Sequence, residues 1–256
     1  MVIALLTDFG TQDYYVAAMK GVILSIDTNA NIVDITHEIP PQDIASASFV
    51  LKACYKDFPL GTIFVCVVDP GVGSDRRALV VETDSYKFVA PDNGLLDDVL
   101  SEGAKFKAFS ITNREYMRRE VGNTFHGRDI FAPAGGHLSK GVPPSEFGEP
   151  MALYIEEIGK SSSGSPAEAK VIHIDHFGNI VTNIRNDELT DAAEIEIDGR
   201  LITKVYDFYA QAKAGELFMI RGSSGLVEIS VRDGSANTKL ETTLGARLNI
   251  KHKISL

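Results

Sequence analysis

The chain has 256 residues, of which 44% are hydrophobic and 23% charged, the proportions of a folded globular protein rather than a disordered, collagen-like or fibrous one. Its 35 acids against 25 bases leave a net charge of −10, a field that opposes phosphate backbones and anionic lipid and argues against nucleic acid as a partner. A cationic or zwitterionic small ligand would be drawn in by the same field. The apolar runs, such as Ile63 to Val68, are too short to span a bilayer, and Met1-Val2-Ile3 lacks a basic leader, so no membrane contact or export is expected. Two cysteines, Cys54 and Cys66, fall in apolar patterns as small hydrophobes, which fits a reducing cytoplasm.

Val2 to Leu6 reads as the first strand. Tyr15, Val16, Met19, Val22, Ile23 and Ile26 then recur at helical spacing, with Thr11 placed to cap the helix and Asp13 in its first turn. A second helix is expected from Asp43 to about Asp57, burying Phe49, Val50, Ala53 and Cys54. Pro59-Leu60-Gly61 breaks it before a strand over Thr62 to Val68, and further strands follow at Ala78 to Glu82 and Lys87 to Ala90. This alternation predicts an α/β domain with a mostly parallel sheet flanked by helices. Ser161-Ser162-Ser163-Gly164-Ser165-Pro166 reads as a linker or exposed loop, dividing the chain into domains of 1–158 and 167–256. Downstream, Glu194 to Ile197 and Leu201 to Val205 flank Asp198-Gly199, a hairpin signal. A second hairpin is expected where Phe218 to Ile220 and Leu226 to Val231 flank residues 221–225, so the second domain is predicted to be all-β and barrel-like.

Four apolar runs end in acidic turns, at Asp8, Asp69, Asp92 and Asp175. In open α/β sheets, ligands collect beyond the carboxyl ends of strands, so these acids could share a crevice; each could equally be a turn residue bonding its own backbone. Asp8 stands between the first strand and a helix, where its carboxylate could accept hydrogen bonds from a vicinal diol such as ribose. Asp69-Pro70-Gly71-Val72-Gly73-Ser74-Asp75-Arg76-Arg77 lacks the Gly-Lys-Ser/Thr ending of a phosphate loop, and its acid opposes phosphate. Read together, Asp69, Arg76 and His126 would form a set able to hold a water molecule and bias it toward hydroxide, provided the fold brings them together. The remaining histidines have no spacing typical of a helical metal site, and no metal is expected.

These segments resemble the S-adenosyl-L-methionine hydroxide adenosyltransferase family, hydrolases related to fluorinating and chlorinating enzymes that use the same compound. The resemblance rests on Leu6 to Gly10 with Asp13, Val68 to Gly73 with Arg76, Ala90 to Leu96, Thr124 to Asp129, Ile174 to Asn183 and Gly222 to Gly225. It implies an N-terminal α/β domain joined to a β-barrel that completes the site, in a homotrimer with sites between subunits. Asp69, Arg76 and His126 match the water-holding set, Asp8 the ribose-binding carboxylate and Asn179 an adenine contact. Asp13, Asp175, Ser223 and Ser224 match positions around the methionine end, with Phe177, Glu228 and Val231 lining the site; Tyr209 is the expected adenine-stacking ring, with Tyr206 and Phe208 as the alternatives. The implied activity is hydrolysis of S-adenosyl-L-methionine to adenosine and L-methionine, the compound being substrate and no cofactor being needed. A halogenase, or a binding protein without turnover, is the alternative. Against the first, Asp69 stands where fluorinating enzymes have Tyr, Gly127 where they have Ser, and their insertion between Arg76 and Asp92 is missing. An acid at Asp69 repels halide but accepts a proton from water.

Overall fold

The structure is a computed structural model that describes residues 1–103, 105–155 and 168–252. It forms two compact units, Met1–Ile158 and Gly159–Leu256. The expected linker at Ser161 to Pro166 lies outside the described residues.

In chain order, the first unit contains β1 (Val2–Thr7), α1 (Tyr15–Ile26), β2 (Asn31–Thr36), α2 (Ile44–Cys54), β3 (Ile63–Val67), β4 (Ala78–Thr83), β5 (Lys87–Pro91), α3 (Asp97–Leu100), β6 (Phe106–Ser110), α4 (Ala132–Ser139) and β7 (Pro150–Met151). One seven-stranded sheet runs in the order β2-β1-β3-β5-β4-β6-β7. Its central strands are apolar at almost every position because both faces are covered. Ala4, Leu6, Phe64, Cys66 and Phe88 pack with Ala47 and Leu51 of α2 and Val99 and Leu100 of α3. Ile3, Leu5, Ile63, Val65 and Val89 pack on the opposite side with Met19 and Ile23 of α1 and Ala134 and Leu138 of α4. The rings of Phe64 and Phe88 stack at 5.2 Å, both fully buried, each burial contributing roughly 1.5–3 kcal/mol.

The sheet is mixed, correcting the expectation of a mostly parallel one. β1 pairs in parallel with β2 and β3, and β3 with β5, but β4 is antiparallel to both β5 and β6, and β6 to β7. Between β4 and β5 lie only Asp84, Ser85 and Tyr86, too little chain for the crossover that parallel neighbours need. Thr11 does not cap α1: the helix follows Tyr14 without a side-chain cap, Asp13 lies outside its first turn, and the Thr11 hydroxyl donates to Glu38 Oε1 at 3.0 Å. The second helix stops at Cys54 and tightens into a 3₁₀ turn over Tyr55–Asp57, and Ala53 is exposed. Asp43 caps it, Oδ1 accepting the Ser46 N–H at 3.0 Å.

The second unit contains β8 (Val171–Ile174), β9 (Ile180–Arg185), β10 (Glu194–Ile197), β11 (Arg200–Ile202), β12 (Val205–Tyr206), β13 (Leu217–Arg221), β14 (Leu226–Val231), α5 (Ala236–Leu240) and β15 (Asn249–His252). Among the described residues its strands form two sheets, β11-β10-β15 and β12-β13-β14-β9-β8, and in neither order do the outer strands pair with one another. Ile195, Ile197 and Ile202 from the first sheet share a core with Ile180, Met219, Val227 and Ile229 from the second. Both expected hairpins are present. Asp198 and Gly199 each take a left-handed φ, 49° and 75°, which matches the right-handed twist of the strands they join. Val205 belongs instead to β12, a short strand parallel to β13.

Candidate active site

Asp8, Asp69 and Asp92 follow the carboxyl ends of β1, β3 and β5, three adjacent parallel strands, so they share one edge of the sheet. Asp175 follows β8 in the other unit.

Asp69, Arg76 and His126 meet. After β3 the chain turns back twice, Val72 N–H donating to Asp69 O at 3.2 Å and Ser74 N–H to Gly71 O at 3.0 Å, and returns the Arg76 side chain to Asp69. Gly73 makes this possible with a φ of 80° and no Cβ to collide with the Asn123 carbonyl oxygen. Arg76 donates from Nε to both Asp69 oxygens, at 2.8 and 3.0 Å, and from Nη2 to Oδ2 at 2.5 Å. It also donates from Nη2 to His126 Nδ1 at 2.7 Å, and its guanidinium lies 5.1 Å from the centre of the Phe131 ring. The Arg76 and Asp69 side chains are only 10% and 5% exposed, a setting in which a charged pair is screened little. Gly73→Ala is expected to lower stability by on the order of 1–2 kcal/mol from its left-handed backbone alone, and turnover with it. Urea titration reads the first effect and product release the second; unchanged values would show that the turn tolerates a side chain.

Guanidinium has donors only, so His126 Nδ1 must be the acceptor and the ring proton sits on Nε2. Burial and the Arg76 charge hold the His126 pKa below its ordinary value, against the opposing pull of Asp69 and Asp129. The Nδ1 lone pair is thus taken up by Arg76 and Nε2 carries the ring proton, so the ring offers no free acceptor. Asp69 keeps lone pairs beyond those facing Arg76 and is the acceptor left for a proton.

Asp8 Oδ2 accepts the Gln42 N–H at 2.8 Å, and Gln42 adopts a left-handed φ of 67° there. Burial raises the Asp8 pKa, outweighing the backbone hydrogen bonds, and the Asp69 charge adds to the rise. Among the described residues, Asp8 Oδ1 accepts no hydrogen bond from another residue. Beside it, Phe9 and Tyr15 each pack on Phe125, at 5.7 and 5.1 Å, and Tyr14 stacks on Tyr15 at 4.6 Å. Sequence reasoning missed this aromatic group, although Phe9, Tyr14 and Tyr15 crowd around the acidic turn. Asp13 is exposed, and Asp92 Oδ2 accepts from Arg77 Nε at 2.7 Å.

In the second unit, the Asp175 carboxylate is engaged locally: Oδ1 accepts the N–H groups of Phe177 at 2.9 Å and Asn179 at 2.8 Å, and Oδ2 accepts from Asn179 Nδ2 at 2.9 Å. This is the turn-forming role open to an Asp before Gly. Phe177 is exposed and Asn179 buried. The Tyr209 hydroxyl donates to Glu228 Oε2 at 3.3 Å and lies 3.4 Å from Ser230 Oγ. Burial raises the pKa of Glu228, with Asp175 pushing the same way and the Tyr209 hydroxyl against both. Ser223 is exposed, the Ser224 hydroxyl is buried without a hydrogen-bond partner, and Val231 packs in the core.

Among the described residues, no group of three or more His, Cys, Asp or Glu could hold a metal ion. No helix is long and apolar enough to cross a membrane, again among the described residues. Burial raises the Cys54 thiol to about 11 and pushes that of Cys66 higher still, so both are thiols, not thiolates, at neutral pH.

A mixed α/β sheet with acids along its parallel strand ends, followed by a separate β unit, defines a two-domain class, and both parts match known families. Residues 3–148 match the SAM hydroxide adenosyltransferase N-terminal domain and residues 169–249 its C-terminal domain. The chain belongs to the SAM hydroxide adenosyltransferase family. An (R)-S-adenosyl-L-methionine hydrolase from Salinispora tropica is 34% identical, over 97% of each chain. A fluorinase from an Actinoplanes species is 30% identical, over 75% of this chain and 74% of its own. The crystal structure of an uncharacterized conserved protein from Thermotoga maritima aligns with a TM-score of 0.89 and 35% identity, covering 97% of this chain and 100% of that one.

Proposed function

We propose that the protein hydrolyses S-adenosyl-L-methionine to adenosine and L-methionine. The observation that carries this reading is the Asp69–Arg76–His126 cluster, an acid held ready to take a proton beside a fixed cation. A water oxygen attacks the ribose 5′ carbon in line with the sulfur, and the carbon–sulfur bond breaks with its electron pair going to sulfur. Asp69 receives the water's proton, and Arg76 steadies the charge on the oxygen as it forms. The sulfonium is already a good leaving group, so most of the acceleration comes from desolvating and aligning water, effects capable of about 7–11 kcal/mol. Asp8 is the ribose ligand, and no cofactor takes part.

Asp13, Asp175, Phe177, Asn179, Tyr209, Ser223, Ser224, Glu228 and Val231 are assigned to the rest of the substrate on the strength of the family motifs. Among them Tyr209, 41% exposed, offers a ring face for adenine. A homotrimer with substrate held between neighbouring subunits is the assembly this reading calls for, with a barrel-like second domain and a cytoplasmic setting; light scattering tests the trimer.

Incubation with S-adenosyl-L-methionine followed by chromatography should give adenosine and methionine in equal amounts. Tight binding with no product would indicate a binding protein. With chloride or fluoride present, 5′-halo-adenosine should not form. A Cβ at Gly127 would stand 3.1 Å from the Phe9 ring, leaving little room for the serine found in fluorinating relatives.

Turnover should fall on acidification through a pKa below 6.5, the ordinary imidazole value. The sign follows from the neutral ring being the competent form: a proton on Nδ1 removes the acceptor that Arg76 needs and sets two cations side by side. A pH profile of kcat with its acid limb at or above 6.5 would contradict this account of His126.

A further inference from the structure

Asp129, a fully buried acid beside the cluster, takes no part in the proposed reaction. It sits in the π-helical turn Gly127–Phe131, whose Ala132 N–H reaches back to the Gly127 carbonyl. Such wide turns recur at functional sites. Asp129 Oδ2 accepts the Gly122 N–H at 3.0 Å, and the Asp129 backbone carbonyl accepts the Arg118 N–H at 2.9 Å, so both ends of the 118–122 segment hang on this residue. Arg128 completes the arrangement, donating from Nε to Oδ1 at 2.7 Å and from Nη2 to Oδ2 at 3.1 Å, with Arg118 Nη1 at 3.4 Å from Oδ1. Burial raises the carboxyl's pKa, but the Arg128 and Gly122 donors and the two arginine charges outweigh it and hold the group ionised.

We infer that Asp129 is a positioning residue for the reaction: its carboxylate fixes the Gly122 N–H and its own N–H donates to the Phe125 carbonyl at 3.1 Å, so the segment that carries His126 is held at both ends, presents Nδ1 to Arg76 and sets the guanidinium against Asp69. The physical reason is the rigidity of each link. An imidazole whose backbone is pinned on both sides keeps Nδ1 facing the guanidinium, and Arg76 fixed on two sides cannot swing off the carboxylate. A buried ion pair is weak evidence for stability, because apolar packing often serves as well, whereas a charged acceptor that pins a main-chain N–H gives orientation. The kinetic part of this inference rests on the hydrolytic reading; the spectroscopic part does not.

Asp129→Asn keeps the volume but turns an amide NH2 toward either the Gly122 N–H or the arginine donors, whichever way it is oriented. It is expected to lower kcat about 10- to 100-fold, the scale of small misplacements, with KM changed less than about threefold. In a His126→Ala background, the same substitution should cost less than about threefold, since the link it acts through is gone. An equal fractional loss in both backgrounds, or no loss in the first, overturns the inference. Nitrogen-15 NMR of the histidine rings, with the His126 signal assigned from His126→Ala, should show a single Nε2–H tautomer in the native protein and a mixture in Asp129→Asn. An unchanged ring spectrum overturns it equally. Should Asp129→Asn fail to fold, Arg128→Gln decides: its side chain is 33% exposed, and removing it frees the carboxylate to shift. A fall of several-fold in kcat with a changed ring spectrum supports the link, and wild-type values for both refute it. If the native protein released no adenosine, the ring spectra would still separate failure of this inference from failure of the hydrolytic reading.

Discussion

Arg76→Ala is expected to lower kcat about 10²- to 10³-fold, the loss seen when one preorganised donor is taken from developing negative charge. Stability should fall as well, by about 3–5 kcal/mol, because Asp69 is left buried without its cation. Arg76→Lys should recover little of the activity. A lysine ammonium is a point charge and cannot span two carboxylate oxygens and an imidazole nitrogen as the fork does. Adenosine release, compared with circular dichroism to confirm folding, measures both effects. Turnover within about threefold of the native protein in a folded Arg76→Ala variant would remove the guanidinium from the mechanism.

The second large effect is expected for Asp69→Asn, which preserves shape and removes the proton acceptor. Loss of a general base costs roughly 10²- to 10⁴-fold, and the loss should appear in kcat rather than KM, since Asp8 still meets the ribose. With His126 Nδ1 accepting from Arg76 and Nε2 already carrying the ring proton, no neighbouring side chain of the cluster can take over the proton. If Asp69→Asn kept native turnover while His126→Ala lost it, the imidazole would be the base and the tautomer assignment would fall.

Much of the first unit was legible because burial leaves a plain mark. β1, β3 and β5 are buried on both faces and read as continuous apolar runs, and Val16, Met19 and Ile23 of α1 repeat at helical spacing. β2 escaped because its Asn31-Ile32-Val33-Asp34-Ile35-Thr36 is largely open to solvent and mixes polar residues with apolar ones. The antiparallel half of the sheet could have been read from the short connection between β4 and β5, a topological signal that hydrophobic patterning does not carry. At the site, residue types were informative and partnerships were not. Asp69 and Arg76 are seven positions apart and join through a local turn, whereas His126 reaches them through a π-helical turn for which the sequence has no periodic sign. Asp175 shows the converse, an acidic turn whose carboxylate is spent on its own backbone.

The chain contains eight tyrosines and no tryptophan, so its intrinsic fluorescence comes from phenol rings alone. Two of them, Tyr14 and Tyr15, form the stacked pair beside Asp8, and Tyr14 is 63% exposed. A nucleoside settling near that carboxylate would therefore change the emission of a label-free reporter, allowing occupancy to be followed in real time without a dye or a coupled assay.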